Sequence, residues 1–393
     1  MTAGAVAVLG AAGCAGTGPR PAPLDAARLA HIERAIDGVI GERRMPGAVF
    51  HLERGGMAYQ KAFGRFSYED GAAAVTPATV FDAASLTKIV ATAPAVMLLA
   101  EQGRIALDAP LAGYLPECAG QGRDAITVRH LLTHTSGLPA GLPGRPAWHG
   151  LPKALELACS RTPTDAPGTA FRYSDVNFIL LGELVRRVSG QPLDRFARER
   201  IFAPLGMRDS GFVPLASVAA SRIAPTRRLA GDGLRLLQGE VHDPTARRME
   251  GVAGSAGLFT TVHDLARFAR MLLAGGELDG VRVLSGASVR LMTTVQTGPG
   301  IAALRGMGMD IDSPFARPRG KLFPVGSYGH TGFTGCILWI DPASATFYVF
   351  LSNRVYPDDS NNILDLYERL GTLAAESVNG YEFATPGAAP GGQ

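Results

Sequence analysis

The chain has 393 residues, of which 46% are hydrophobic and 19% charged, and this balance excludes a chain that is disordered throughout. It contains 38 Lys and Arg against 35 Asp and Glu, so the net charge of +3 gives no sign of a nucleic-acid-binding surface. The 49 glycines and 27 prolines follow no Gly-x-y period, which excludes collagen and indicates many tight turns.

Residues 1–23 differ from the rest of the chain. An apolar run at residues 5–12 leads to Ala-Ala-Gly and Cys14, an arrangement similar to a bacterial lipoprotein signal. No Lys or Arg precedes the run, and Leu9 is too far from Cys14 for the usual spacing. We interpret the segment as a signal with a lipid anchor at Cys14, which predicts the periplasm or cell envelope. The alternative is a disordered Ala/Gly tail, which leaves a cytoplasmic location open.

Apolar spacing predicts a helix over residues 24–43 and then two strands at 48–53 and 57–63, joined by a turn at Gly55-Gly56. Near the other end, residues 336–340 and 346–351 are rich in β-branched and aromatic residues, with a turn beginning at Asp341-Pro342. Residues 361–376 are predicted to form a closing helix. The apolar run at 89–100 is too short to span a membrane and suits a buried helix.

These elements predict an α/β (α+β) fold in which strands from both ends of the chain form one antiparallel sheet flanked by helices. The middle of the chain is predicted to form a separate, mainly helical domain. The predicted boundaries are an N-terminal segment at 1–23, a discontinuous α/β domain at 24–103 and 236–380, a helical domain at 104–235 and a disordered tail at 381–393.

The segment FDAASLTK at residues 81–88 leads directly into the apolar run. Ser85 and Lys88 are three residues apart, which places both side chains on one face of a helix that starts at Ser85. A serine hydroxyl is a poor nucleophile until a base takes its proton, and burial should depress the pKa of Lys88 enough for that task. On its own the spacing is equally typical of a helix capped by Ser85.

Two later segments strengthen the catalytic interpretation: FRYSDVN at 171–177 and GHTGFTG at 329–335, the second just before a predicted strand. Ser-x-x-Lys, then Tyr-x-Asn, then Lys- or His-Thr-Gly is the signature of the serine β-lactamase and penicillin-binding-protein superfamily. The chain resembles this superfamily over about residues 25–375, and within it the branch of class C β-lactamases, DD-carboxypeptidases and related esterases. The resemblance implies a β-lactamase/transpeptidase-like fold.

The resemblance also implies roles for individual residues. Ser85 matches the nucleophile, Lys88 its proton-relay partner and Tyr173 the tyrosine that exchanges protons with the nucleophile and the leaving group. The substrate-binding matches are Asp175 in the second motif and the strand that carries His330, Thr331, Gly332 and Phe333. The backbone N–H groups of Ser85 and Phe333 match the oxyanion hole. The implied reaction needs neither a metal nor another cofactor.

Two departures from the signature affect the chemistry. Asp175 stands where Asn is usual, and its charge would favour the ammonium form of Lys88, which moves the base role toward Tyr173. Asn177, two positions later, is a doubtful substitute for the missing Asn. His330 replaces Lys and is mostly neutral at pH 7, which weakens the case for an efficient β-lactamase.

Other histidines and the cysteines allow weaker hypotheses. His130 and His134 have a spacing that can bind metal on a helix, but without a third ligand we expect structural roles. For His242 both a position near the cleft and a structural role stay open. Ser255 in the glycine-rich segment 251–257 is a candidate for substrate contact. The cysteines, numbering 4, are too few for a disulfide scaffold, and no Cys-x-x-Cys indicates a zinc ribbon or a redox site.

Three functions follow as hypotheses. The first is an esterase or amidase that forms an acyl-enzyme at Ser85 with a small acyl substrate. The second is a penicillin-binding DD-carboxypeptidase that acts on peptides, or a weak β-lactamase. The third is a catalytically silent binding or sensor protein, against which the intact Ser85, Lys88 and Tyr173 argue.

Overall fold

A computed structural model describes residues 24–229 and 235–383. The predicted signal segment with Cys14 lies outside these residues, as does the predicted tail from residue 384 onward. The described end of that tail packs against the protein: the ring of Phe383 lies 5.4 Å from that of Phe323, edge to face.

The described part of the chain contains ten α-helices: α1 (Ala26–Gly41), α2 (Ala93–Glu101), α3 (Val128–Leu132), α4 (Leu151–Cys159), α5 (Asp175–Ser189), α6 (Leu193–Ala197), α7 (Pro244–Arg248), α8 (Val262–Leu273), α9 (Gly286–Thr293) and α10 (Leu364–Glu376). Two π-helical turns, Lys88–Thr92 and Arg198–Phe202, precede α2 and follow α6. No helix of the described residues is long and apolar enough to cross a membrane.

The strands are β1 (Gly47–Arg54), β2 (Met57–Gly64), β3 (Phe81–Asp82), β4 (Arg227–Leu229), β5 (Arg235–Leu237), β6 (Phe259–Thr260), β7 (Glu277–Leu278), β8 (Val281–Arg282), β9 (Leu304–Arg305), β10 (Asp310–Asp312), β11 (Tyr328–Gly332), β12 (Cys336–Asp341) and β13 (Thr346–Ser352). Seven of them form an antiparallel sheet in the order β2-β1-β13-β12-β11-β10-β9. The β1–β2 hairpin pairs with β13, so both ends of the chain build one sheet, as the sequence predicted.

The sheet is covered on both faces. Adjacent residues of a strand point to opposite faces, and Val49 and Phe50 accordingly belong to different hydrophobic clusters. Phe50 packs with Ile36 of α1 and Leu370 of α10, whereas Val49 packs in the larger cluster that includes the helices of the middle region. The mixed α/β architecture expected from the sequence is therefore confirmed.

The middle region carries α3 to α6, the β4–β5 hairpin and a disulfide bond between Cys118 and Cys159. Many of its buried residues share a hydrophobic cluster with residues outside the region; Leu131 and Leu180 belong to the same cluster as Leu265. The domain boundaries at 104 and 235 therefore stay a prediction.

Capping residues fix the helices that position the cavity described below. The Ser174 side chain accepts a hydrogen bond from the Asn177 N–H at 3.4 Å and begins α5, which ends at Gly190 with φ of +78°. Thr261 caps α8 by accepting from the Asp264 N–H at 3.2 Å. Tyr173 is thus held directly before the first turn of α5.

Candidate active site

A strained turn presents Ser85. Ala84 adopts a φ of +46°, a conformation that side chains other than glycine rarely take, and its N–H donates to Asp82 Oδ1 at 2.8 Å. The Leu86 N–H returns to the Ala83 carbonyl at 3.0 Å, and the helical run begins there. Asp82 is fully buried, and burial raises the pKa of its carboxyl to about 6. The turn places Ser85 in the wall of a cavity at the start of the helix.

Lys88 lies beneath Ser85 and is completely buried. Its Nζ donates to Ser85 Oγ at 3.0 Å and to the Ser255 carbonyl at 2.9 Å. The same nitrogen lies 2.7 Å from Asp175 Oδ1 in an ion pair. Three segments that are distant in sequence therefore meet at one ammonium group. Ser255 contributes its backbone carbonyl to this contact and also lines the cavity, so its contact with a substrate stays a prediction.

The pKa of Lys88 is raised, so the depressed pKa expected from burial alone is wrong. Burial is the largest single effect and acts to lower the pKa, but the charges and hydrogen bonds of Asp175 and Tyr173 together outweigh it. An ammonium with a paired carboxylate is the stable form here. This agrees with the expectation that Asp175 in place of Asn favours the charged lysine.

Tyr173 closes the cavity on the side of α5. The centre of its ring lies 5.2 Å from Lys88 Nζ, 5.9 Å from the ring of His330 and 5.2 Å from that of Phe315. The phenol thus stands between the buried ammonium and the open cavity, where a substrate would bind.

Asp175 and Asn177 have different surroundings. Asp175 lines the cavity, with 37% of its side chain exposed. Asn177 is fully buried, where its Oδ1 accepts from Ser136 Oγ at 2.6 Å and its Nδ2 lies 3.3 Å from His134 Nδ1. Asn177 therefore supports the loop at residue 134 and does not replace the missing Asn of the second motif.

The third predicted segment forms β11 and the turn after it. His330 Nδ1 lies 2.7 Å from the Thr331 carbonyl, which can only accept, so Nδ1 carries the proton and Nε2 is unprotonated in the neutral ring. Burial holds the pKa of His330 well below its usual range, and the charges of Arg305 and Lys88 act in the same direction. The ring is therefore neutral, as the sequence suggested for a histidine at this position.

Close backbone approach brings β11 to the nucleophile turn. A Cβ at Gly332 would lie 2.4 Å from the Ala83 carbonyl oxygen, so only glycine fits there. Among the described residues, neither the Ser85 N–H nor the Phe333 N–H donates to another group of the chain. Both donors remain available to a substrate oxygen, the role that the resemblance implied.

The cavity has a volume of about 490 Å³. Ser85, Tyr173, Asp175, His330, Thr331 and Phe333 of the predicted set line it, and Lys88 and Gly332 lie just behind its wall. Asp243, the neighbour of His242 in sequence, lines the cavity as well. No sequence pattern indicated the remaining polar and aromatic lining residues: Arg227, Arg247, Phe315 and Asp359. These residues lie on turns and short elements that carry no recognisable spacing.

His242, left open from the sequence, is a cavity residue. Its N–H donates to Asp82 Oδ2 at 2.6 Å, so one carboxylate holds both this residue and the turn before Ser85. Its Nε2 lies 3.0 Å from Asp359 Oδ1, and its ring stacks on Phe333 at 5.9 Å. Burial lowers the pKa of His242 to about 4, which keeps the imidazole neutral near pH 7.

His130 and His134 have separate surroundings. His130 and Thr127 exchange hydrogen bonds in a capping box at the start of α3, each 3.2 Å long. His134 is fully buried and lies against Tyr173, with ring centres 4.5 Å apart. The sequence predicted a structural histidine at 134 but gave no indication of its contact with Tyr173.

Nucleophilic acyl transfer requires a hydroxyl nucleophile, groups that move its proton and N–H donors for the oxyanion. The site provides a hydroxyl beside an ammonium, a phenol and two free N–H groups. The fold and this arrangement define the class of serine hydrolases that includes β-lactamases, DD-peptidases and esterases. The Beta-lactamase family profile matches residues 32–372, and the chain belongs to that family.

Relatives and structural neighbours of the chain have names that refer to members of this class of serine hydrolases. The chain is 31% identical over 371 residues to a putative D-alanyl-D-alanine carboxypeptidase of Escherichia coli strain K12, covering 86% of this chain and 84% of that protein. A penicillin-binding-protein homologue from Caulobacter crescentus has a similar structure, with a TM-score of 0.71, 23% identity and coverage of 91% and 99%. EstCE1, a hydrolase with promiscuous acyltransferase activity, has a TM-score of 0.70, 21% identity and coverage of 88% and 98%.

Proposed function

We propose that the protein hydrolyses small esters or amides through an acyl-enzyme at Ser85. The observation that carries the proposal is the 3.0 Å contact between Lys88 Nζ and Ser85 Oγ in the wall of an open cavity. Ser85 Oγ bonds to the substrate carbonyl carbon and loses its proton, while the carbonyl oxygen takes up negative charge. The N–H groups of Ser85 and Phe333 stabilise that charge; losing one such donor typically costs about 3 kcal/mol of barrier.

In this proposal Tyr173 moves the protons. Lys88 is held as an ammonium by Asp175, so its charge stabilises negative charge that develops on the phenol oxygen. Tyr173 acts as the phenolate that this ammonium stabilises: its oxygen takes the proton of Ser85 and becomes a phenol, and it gives that proton to the leaving group as the bond between the carbonyl carbon and that group breaks. Water then attacks the acyl-enzyme, which releases the acid and restores Ser85.

Two groups of the cavity wall, His330 and Asp175, bear on the substrate class. The two arginines of the same wall are engaged elsewhere: Arg227 bonds to Asp359, and Arg247 donates to backbone carbonyls. The neutral His330 provides no permanent cation for a substrate carboxylate, and Asp175 adds a negative charge beside Lys88. Both features favour acyl substrates without a carboxylate next to the scissile bond.

The second candidate is a DD-carboxypeptidase. The observation that favours it is the 31% identity, over most of both chains, with a relative named as a putative D-alanyl-D-alanine carboxypeptidase. The same relationship supports a location in the cell envelope, and the disulfide between Cys118 and Cys159 suits an oxidising compartment. A lipid anchor at Cys14 is part of this proposal, and radiolabelled palmitate incorporation that is lost in Cys14→Ala would support it.

One comparison separates the candidates. The wild type and a Ser85→Ala variant are assayed on a p-nitrophenyl short-chain ester, a D-Ala-D-Ala peptide and a chromogenic cephalosporin. We expect Ser85-dependent turnover of the ester, whereas Ser85-dependent release of D-Ala would favour the carboxypeptidase. Equal rates of both proteins on all three substrates would remove Ser85 from the mechanism. A fluorophosphonate that labels the wild type but not Ser85→Ala would exclude a silent binding protein.

A further inference from the structure

The imidazole of His134 forms one side of the compartment that holds Tyr173. The His134 side chain is completely buried, and its ring lies 4.5 Å from the Tyr173 ring at an interplanar angle of 31°. Its other neighbours are aromatic as well: the ring of Phe178 lies 5.1 Å away and that of Phe171 6.3 Å away. A shift of the imidazole would therefore leave the phenol without its supporting surface.

His134 also binds the backbone on both sides of Tyr173. Its carbonyl oxygen accepts from the Arg172 N–H at 2.8 Å. Its Nδ1 accepts from the Ser174 N–H at 3.1 Å. One residue thus holds the N–H groups that precede and follow Tyr173, besides contacting the ring. Each of these bonds limits the freedom of the phenol to move relative to Lys88.

The contact with Ser174 fixes the protonation state of the imidazole. A peptide N–H only donates, so Nδ1 must be unprotonated and the proton of the neutral ring lies on Nε2. Burial lowers the pKa of His134 far below its ordinary value, and the charges of Arg305 and Lys88 act in the same direction. Nδ1 therefore remains an acceptor at neutral pH.

The backbone of His134 explains why few other residues fit. Its φ is +58°, in the left-handed region where His, Asn and Asp are enriched among residues with a side chain. The turn directs the ring back toward α5 and, together with the buried Asn177 amide, sets the position of Nδ1. Asparagine is the substitution that keeps both a tolerated φ and a side-chain acceptor close to the backbone.

We propose that His134 is a positioning residue for Tyr173, which fixes the phenol beside Lys88 so that its proton reaches the leaving group. The inference rests on the proposed role of Tyr173. It predicts that loss of the imidazole harms the reaction in proportion to the leaving group's need for a proton. A p-nitrophenolate can leave without being protonated, whereas an alkoxide must receive a proton as it leaves.

The test compares p-nitrophenyl butyrate with ethyl butyrate, which share one acyl group. His134→Gly removes the ring and relieves the positive φ, and His134→Asn retains an acceptor. Tyr173→Phe is the reference and His130→Ala the control for lost stability in the same segment. We expect His134→Gly to lose about tenfold or more in kcat/KM on the ethyl ester, a smaller loss on the p-nitrophenyl ester, and partial recovery in His134→Asn. His130→Ala should lower Tm without changing the ratio of the two activities.

Equal losses of His134→Gly on both esters, while Tyr173→Phe discriminates between them, would overturn this inference alone. If Tyr173→Phe itself fails to discriminate, the proposed role of Tyr173 falls, and the positioning role falls with it. If His134→Gly does not fold, the His134→Asn variant decides: a change in its ester ratio at unchanged Tm supports positioning, and an unchanged ratio contradicts it.

Discussion

At the scale of single residues, the ion pair between Lys88 and Asp175 distinguishes this site. A lysine that serves as a base must lose its proton, and a carboxylate 2.7 Å away opposes that loss. The pair is buried on the lysine side and open to the cavity on the aspartate side. The charge of Asp175 therefore acts from the cavity side on the protonation of a lysine that solvent does not reach.

Asp175→Asn tests this effect directly. Removing the charge should lower the pKa of Lys88, so a larger share of the amine is neutral at any given pH. In the proposed mechanism Lys88 must carry its proton while Tyr173 acts as the base, so the basic limb of the kcat/KM profile should move to lower pH by about one unit or more. The measurement is the pH profile of p-nitrophenyl butyrate hydrolysis.

Asp243→Asn is the matched control for Asp175→Asn. It removes a carboxylate from the same cavity wall, but Asp243 accepts from the Ala246 N–H at 2.6 Å as the cap of α7, a bond that Asn can also make. Asp243→Asn should therefore shift the pH profile of kcat/KM less than Asp175→Asn does. An identical profile for the wild type and Asp175→Asn would contradict a controlling role for the Asp175 charge.

At the scale of elements, the contact of β11 with the turn at Ala83 decides the geometry of the N–H pair. Gly332→Ala places a methyl group where the Ala83 oxygen lies, so the strand or the turn must move. We expect a loss of about 1–3 kcal/mol in stability and a fall in kcat because the N–H of Phe333 is displaced. Gly141→Ala, in open space, should match the wild type in both urea unfolding and activity. A fully active Gly332→Ala would show that the close approach is dispensable.

Glu53 links strand β1, next to the edge strand β2, to α8. Its carboxylate contacts Arg270 twice at 2.7 Å and His51 at 3.1 Å, and although burial raises its pKa, these partners lower it to about 2. The folded pKa is below the ordinary value near 4.5, so its contribution to stability is present above pH 4.5 and is lost as the pH falls toward 2.

Glu53→Gln should therefore unfold more easily than the wild type at pH 7, by about 3 kcal/mol, and the difference should shrink as the pH falls from 5 to 3. Thermal unfolding across this range is the measurement. Glu33→Gln, which breaks the more exposed pair with Lys61, should cost less than about 1 kcal/mol. A pH-independent difference for Glu53→Gln would contradict the charged state of Glu53.

The same elements show what sequence patterns can and cannot predict. Alternation and turn residues predicted the β1–β2 hairpin within one residue at each end, since those signals are local. The motifs predicted that Ser85, Lys88 and Tyr173 meet. Burial alone predicted the wrong direction for the pKa of Lys88, whereas Asp175 in the second motif predicted the right one. The approach of Arg247 and Asp359 could not be predicted, because it depends on loops folding together in space.

At the scale of the whole molecule, the Cys118–Cys159 disulfide closes a long loop in the middle of the chain, with a sequence separation of 41 residues. Closing a loop of this length reduces the entropy of the unfolded chain and corresponds to about 4 kcal/mol. The sequence offered no pairing because spacing alone does not identify partners. The bond joins α4 to the segment that precedes α3, away from the cavity residues.

A Cys118→Ala, Cys159→Ala double variant should therefore unfold at lower urea concentration by an amount equivalent to roughly 3–4 kcal/mol, with kcat/KM at 25 °C little changed. Dithiothreitol should destabilise the wild type similarly and leave the double variant unaffected, although Cys336 is present in both. Insensitivity of the wild type to the reductant would mean that the two cysteines are not joined in the isolated protein.

The pairing of β1 with β13 has a consequence for synthesis. Residues 48–54 meet their partners at 346–352, so this ladder stays incomplete until residue 352 has emerged from the ribosome. Contacts so remote along the chain form slowly, and the unpaired hairpin exposes hydrogen-bonding edges meanwhile. Nascent chains should consequently remain protease-sensitive until the last strand is translated, and premature stop codons before residue 346 should yield insoluble fragments with no hydrolytic activity.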